Sequence, residues 1–354
     1  MFSLTGFLDD TLGLGHPPTY LAVFLAASLL LVWRLEAMME RGLEGTALGA
    51  IVMPLCSGLG NLMFVAVARG RGVPAEEVAV NALGNNLTNL LLILPGVALF
   101  GALSLRAGKD AGGGRAGGKA AAKTKAAGAR RKGGKGGADA ETRTRLHALA
   151  LFLTLGAAAA FALIAWALGM DGRLDRGDGL ALIGLFALWQ GFHLYDVRKH
   201  QLTQRQAFSP WIVFDAVLAL GAAWLMLESL DWLVTWLKAR PAGSLGAEHL
   251  GWVTAWLMVL PNAALAAYYA WRSRADVVYA SQVGDGHICI PLCLGIAATL
   301  APFAPPAWFG DALLVLAGAA GFHALLVAVF GGLPRVLAVV PIAAYVWCLR
   351  EGLS

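Results

Sequence analysis

The chain has 354 residues, 58% of them apolar and 14% charged, whereas a typical soluble domain carries about 25% charged residues. That balance excludes an ordinary water-soluble fold. The net charge of +5 does not point to nucleic acid, because twelve of the 27 Lys and Arg residues lie in one stretch, Arg106 to Arg145, and the others flank apolar runs, where they meet lipid headgroups.

In chain order, Met1 to Pro18 has no basic leading segment and carries Asp9 and Asp10, so no cleaved signal peptide is expected. Apolar runs of about 20 residues, long enough to cross a hydrocarbon core of about 30 Å, then recur to the end. They predict ten spans, at Thr19–Met38, Thr46–Ala68, Val78–Leu105, Leu146–Leu168, Gly179–Val197, Pro210–Leu237, Trp252–Trp271, Val277–Leu300, Trp308–Phe330 and Leu333–Leu349. Helices are required, because lipid offers no partner to a free backbone group and the alternation of a membrane barrel is absent. The expected organisation is an N-terminal half (1–105, spans one to three, first repeat 46–105), a linker (106–145), spans four and five (146–200), and a C-terminal half (201–354, spans six to ten, second repeat 252–300).

The Gly, Ala and Lys-rich segment 106–145 has almost no large apolar residue. It reads as a disordered cytoplasmic tether that can also touch anionic lipid. With the N-terminus outside, 20 of the 27 basic residues fall on the cytoplasmic side. Much of that bias is the linker itself, and it predicts N- and C-termini outside, in a bacterial inner membrane. Cys56, Cys289, Cys293 and Cys348 all lie in apolar segments, as buried free thiols do, so no disulfide framework is expected.

An internal repeat links two polar interruptions. Asn81 to Leu90 in the third span aligns with Ser281 to Ile290 in the eighth at an offset of 200, and Leu59-Gly60-Asn61 matches Leu260-Pro261-Asn262 one span earlier. Copies five spans apart run in opposite directions, which makes the halves inverted repeats, a transporter architecture. Gly58, Gly60, Gly84, Pro261, Gly284 and Gly286 fall where helices would loosen, and loosened backbone at membrane depth is tolerated only beside a cavity or inside protein.

Asp285 is the sharpest residue. An ionised carboxylate that deep costs about 3 kcal/mol unless paired, solvated or bound to metal. Asn61, Asn85, Asn86, Asn89, Asn262, Ser281 and Gln282 are candidate neutral oxygen ligands beside it, since hard cations take several oxygens. His287 is a candidate proton-sensitive partner.

At these residues the chain resembles the cation/calcium exchanger superfamily, whose repeats run from a Ser-Leu-Pro-Glu bend to a Gly-Ser-Asn-x-x-Asn/Asp break. Ser57 to Asn61 and Val259 to Asn262 resemble the bends, and Gly84 to Asn89 and Gly284 to Cys289 resemble the breaks. The resemblance implies an all-α membrane protein of ten helices in two inverted five-helix repeats, with helices 2, 3, 7 and 8 broken, working by alternating access. Both family Glu ligands are Asn here, at Asn61 and Asn262, and Cys289 stands in the place of the second acid.

The expected function is a secondary cation antiporter, Ca2+ exchanged for Na+ or H+, with the ions as cargo and no resident cofactor. A monovalent Na+/H+ antiporter is the alternative, since one negative charge balances a monovalent ion. A small-metabolite transporter would need a roomier, aromatic-lined cavity and a dispensable Asp285. His193 with Asp196 offers no nucleophile or metal set for an enzyme, and the sequence leaves the oligomeric state open.

Overall fold

The computed structural model describes residues 15–38, 41, 58–100, 103–104, 135–201, 209–241 and 243–354. The linker over 106–134, the first half of the second expected span (46–57) and Cys56 lie outside these residues. Helices occupy all ten expected positions. They are α1 (Pro17–Met38), α2 (Leu59–Gly70), α3 (Ala75–Thr88), a π turn (Asn89–Ile93) leading into α4 (Leu94–Phe100), α5 (Lys135–Leu168), α6 (Arg176–Gln201) and α7 (Trp211–Lys238). There follow the short α8 (Leu245–Glu248), α9 (Leu250–Trp271), α10 (Ala275–Gly284), α11 (Gly286–Ile288), a second π turn (Cys289–Cys293), α12 (Leu294–Leu300), α13 (Phe309–Phe330) and α14 (Val339–Leu353).

Eight of the described helical segments are long and apolar enough to cross a membrane, and the protein is an all-α, multi-pass membrane protein. Leu59–Gly70 is a shorter apolar helix, and α6 takes the fifth position. The α5 helix begins at Lys135, earlier than the expected Leu146, so the last part of the 106–145 segment is helical.

The duplication is written in the backbone. Ala75, Asn89, Ile93, Leu94 and Phe100 bound their elements at positions matched 200 residues later by Ala275, Cys289, Cys293, Leu294 and Leu300. The turns before them also correspond. Gly72 and Ser273 have φ of 62° and 56°, and Val73 N and Arg274 N reach back to the carbonyls of Ala68 and Tyr269, the six-to-one bond of a helix-ending motif. Leu103 pairs with Leu333, and Phe303, 200 residues on, pairs with Leu174. Each half thus ties the exit of its third span to the other half's connection between its fourth and fifth.

The π turns have a local cause. Pro291 lies within the second and Pro95 just beyond the first, and a proline removes a donor and crowds the carbonyl four residues back, which a wider turn relieves. His323 of α13 places Nε2 2.9 Å from the Leu90 carbonyl in the first π turn. At Pro261 the expected break is not found, because α9 is helical from Leu250 to Trp271 with the proline inside it. The seventh helix is therefore continuous, and in the second repeat the interruption is confined to Asp285 between α10 and α11.

The α1 and α7 helices pack together beside the repeats. Tyr20 stacks on Trp232 with ring centres 4.0 Å apart. Asp215, wholly buried in α7, accepts from Arg34 at 3.3 Å and from Arg41. Pairing of this kind offsets the cost of burying a carboxylate. The burial of Asp215 against two guanidiniums is decided by helix pairing.

Candidate functional site

The polar residues of the two repeats meet where their helices cross. Asn61 on α2 accepts from Asn85 Nδ2 at 3.3 Å, and Asn85 Oδ1 accepts from Asn89 Nδ2 at 3.0 Å. The same Asn89 amide donates to Asp285 Oδ2 at 3.2 Å, and Asn262 Nδ2 donates to that oxygen from α9. Five of the expected residues therefore form one hydrogen-bonded chain, Asn61, Asn85, Asn89, Asp285 and Asn262, drawn from both halves. Asn85, Asn89 and Asp285 are 0% exposed.

The helix geometry explains the chain. Asn85 and Asn89 stand four apart on one face, at the junction of α3 with its π turn. Asn81 lies one turn earlier and donates instead to Thr254 of α9 at 3.0 Å, which holds α3 and α9 in register. Gly286 permits the crossing, since a Cβ there would come within 2.9 Å of Asn86 Oδ1.

Three oxygens at the crossing, Asp285 Oδ1, Asn89 Oδ1 and Gln282 Oε1, are buried and receive no hydrogen bond among the described residues. Such atoms normally find partners. Unpaired buried acceptors of this kind are the sort of atom a positive charge can satisfy. Among the described residues no three His, Cys, Asp or Glu side chains come close enough to hold a metal ion, so an ion here would rest on one carboxylate and amide oxygens.

The other expected members make bonds outside that chain of side chains. Asn86 Nδ2 donates to the Ala82 carbonyl at 2.7 Å, and its oxygen lies toward Gly286. Ser281 donates to the Val278 carbonyl at 3.0 Å and accepts from Gln282 Nε2 at 3.1 Å. Gln282 also reaches the Asn262 carbonyl at 3.2 Å, which braces α10 against α9.

His287 corrects the expectation of a partner for Asp285. Its Nε2 lies 2.9 Å from the Thr154 carbonyl of α5, and its ring packs on Phe161 and Trp189. Two residues along a helix is roughly 200° around it, so the two side chains leave on opposite sides. Spacing alone carried that signal.

On the His287 side a cavity of about 330 Å³ runs past Phe186, Trp189, Gln190, His193 and Tyr269 to Asn262 and Ser281. Glu36 of α1 lines it as well. The cavity was not foreseen, because its walls come from five spans, the first, fourth, fifth, seventh and eighth. The side chain of Asp196, once weighed with His193, lies outside the described residues. Cys289, Cys293 and Cys348 are free and buried.

The family described as sodium/calcium exchanger protein matches residues 19–195. No curated relative matches in sequence. Among solved structures, the chain is similar to the sodium-calcium exchanger NCX_Mj soaked with 2.5 mM Na+ and 1 mM Sr2+, at 18% identity and a TM-score of 0.63, covering 96% of this chain and 98% of that one. The same exchanger soaked with 2.5 mM Na+ and 0.1 mM Ca2+ gives 17% identity and 0.61 over the same shares. Soaked with zero Na+ and Ca2+ it gives 17% and 0.60, over 95% of this chain and 98% of that one. At these identities the likeness establishes the shared fold.

Proposed function

The chain belongs to the sodium/calcium exchanger protein family, and from that premise we propose a secondary active cation antiporter that works by alternating access, with Asp285 as the charged ligand of a mid-membrane site. One observation carries the reading: a wholly buried carboxylate held by amide groups from both inverted halves. With no cation bound, the N–H groups of Asn89 and Asn262 satisfy Asp285 Oδ2. A cation takes over that role when the amides turn about their last torsion, so that their oxygens join Asp285 and Gln282 around the ion. Positive charge replaces donated hydrogens, and the carboxylate is compensated in both states.

Family membership favours Ca2+ exchanged for Na+ or H+. A second reading, Na+ exchanged for H+, is favoured by the single carboxylate, because Ca2+ sites usually take six to eight oxygens with carboxylates among them. The ions are cargo and the reading assigns no resident cofactor. The distribution of Lys and Arg supports N- and C-termini outside, with the 106–145 segment as a cytoplasmic tether.

Flux of radiolabelled Ca2+ or Na+ into proteoliposomes, under imposed Na+ or proton gradients, separates the two ions. Asp285→Asn abolishes flux of either. Unchanged flux in that variant removes Asp285 from the mechanism, and absence of flux of either ion in the parent returns the aromatic-lined cavity beside it to small-metabolite transport.

A further inference from the structure

A second cavity, of about 500 Å³, lies on the other side of the crossing, between the first π turn with α4 and the C-terminal half of α9. Leu92, Ile93, Gly96 and Val97 form one wall, and Ala263 and Ala267 face them. The lining side chains are apolar, apart from the indole N–H of Trp271 at the rim. Phe100 and Trp271 stand at that rim 92% and 82% exposed. Immediately beyond, the Arg272 guanidinium sits 5.2 Å from the ring centre of Tyr268.

Aromatic and cationic groups at one end of an apolar slot mark the level of lipid headgroups. The depth below that level suits hydrocarbon. The small side chains keep the slot open, and a Cβ at Gly96 would meet nothing within 4 Å. The sequence after Phe100 leads into the basic stretch Arg106 to Arg145, a charge balance that favours an anionic headgroup.

Both walls belong to the helices of the site. Leu92 follows Asn89 by less than a turn, and Ala263 adjoins Asn262. Asn89 and Asn262 donate to the same oxygen of Asp285, so whatever fills the cleft bears on the distance between the two amides.

We propose that this cleft seats an acyl chain of an anionic phospholipid whose phosphate is held at Arg272, and that its occupancy sets the spacing of Asn89 and Asn262 around Asp285. The seat goes beyond the antiporter reading. Its effect on the amides rests on that reading.

The full chain is reconstituted in equal parts phosphatidylglycerol and phosphatidylcholine, with a trace of phosphatidylglycerol carrying a photoactivatable group at its acyl terminus. Adducts are expected to concentrate at 92–97 and 263–267, and to be competed by unlabelled phosphatidylglycerol more than by phosphatidylcholine. Filling the cleft with Gly96→Leu and Ala267→Leu lowers labelling there by about tenfold or more. Arg272→Gln lowers the preference for the anionic lipid by about fivefold.

Labelling spread evenly over the lipid-facing helices, or unaltered by the filled cleft, overturns the seat. Chain-to-chain adducts across the cleft in place of lipid adducts also overturn it and assign the face to a second copy. Labelling needs no transport, so its outcome is independent of the antiporter reading. In the same vesicles, cation flux is expected to change with phosphatidylglycerol content in the parent and not in the filled variant. Flux indifferent to the lipid in a parent that labels as expected overturns the effect on the amides.

Discussion

Replacing Asn262 by Asp tests the shared pocket with almost no change of shape. In the structure Asn262 Nδ2 donates to Asp285 Oδ2, so the substitution exchanges a donor for a second carboxylate in direct contact with the first. Two unit charges about 4 Å apart repel by about 4 kcal/mol at an effective dielectric constant of about 20. Without a divalent ion the pair must share a proton or move apart, and the Asn262→Asp protein is expected to melt below its parent. A Ca2+ ion between the two carboxylates cancels that repulsion. At about 1.4 kcal/mol per tenfold, the gain in Ca2+ affinity has a ceiling of about a thousandfold and is expected to reach at least about tenfold, proton sharing taking up the remainder. The assay is thermal unfolding of the purified full chain with Ca2+ titrated at fixed Na+ and pH, followed by uptake of radiolabelled Ca2+. Asn262→Ala serves as the control for loss of the amide. An Asn262→Asp protein as stable as its parent without Ca2+, and gaining nothing when Ca2+ is added, refutes the reasoning, for the two side chains would then not face one pocket.

Two further outcomes follow from other parts of the fold. Asp215→Asn strands Arg34 inside the α1–α7 contact, at a cost of the order of 3 kcal/mol, the low end of such losses because the Arg41 side chain is 35% exposed and can turn to water. Melting temperature reads the loss, and Asp215→Leu combined with Arg34→Met is expected to recover most of it; equal stability of parent and Asp215→Asn contradicts the pairing. Asp175, at the start of α6, accepts from Gly177 N at 2.6 Å and Asp178 N at 3.0 Å, and the donation from Asp178 and then Gly177 holds its carboxyl below the usual carboxylate range. Its support of the first turn of α6 is therefore present above the unfolded carboxylate pKa and is lost as pH falls through the lower folded value. Hydrogen exchange of Gly177 and Asp178, corrected for the intrinsic pH dependence, is expected to lose protection over that interval in the parent and to be independent of it in Asp175→Ala.

What could be read before folding were the properties that lipid imposes on any chain. The length and apolarity of each span follow from bilayer thickness, which is why all ten positions hold helices and why the ends of α7, α9 and α13 fall within a residue or two of expectation. The repeat was legible because polar residues are scarce at membrane depth, so Asn85 and Asp285 stand out at a fixed offset. The same scarcity pointed to Asn61, Asn89 and Asn262.

Tertiary structure decided which way each side chain turned and what it met. The amide N–H of Asn86 and the hydroxyl of Ser281 donate to nearby carbonyls of their own helices. His287 faces α5, and Asp215 is sealed by the guanidiniums of Arg34 and Arg41. Pro95 and Pro291 widen their helices into π turns, while Pro261 stays inside an unbroken one. A rotation of one residue moves a side chain about 100° around its helix, and hydropathy has no term for the neighbour it then faces. The apolar helices follow from the solvent, whereas the pocket follows from how helices of the two oppositely directed repeats cross.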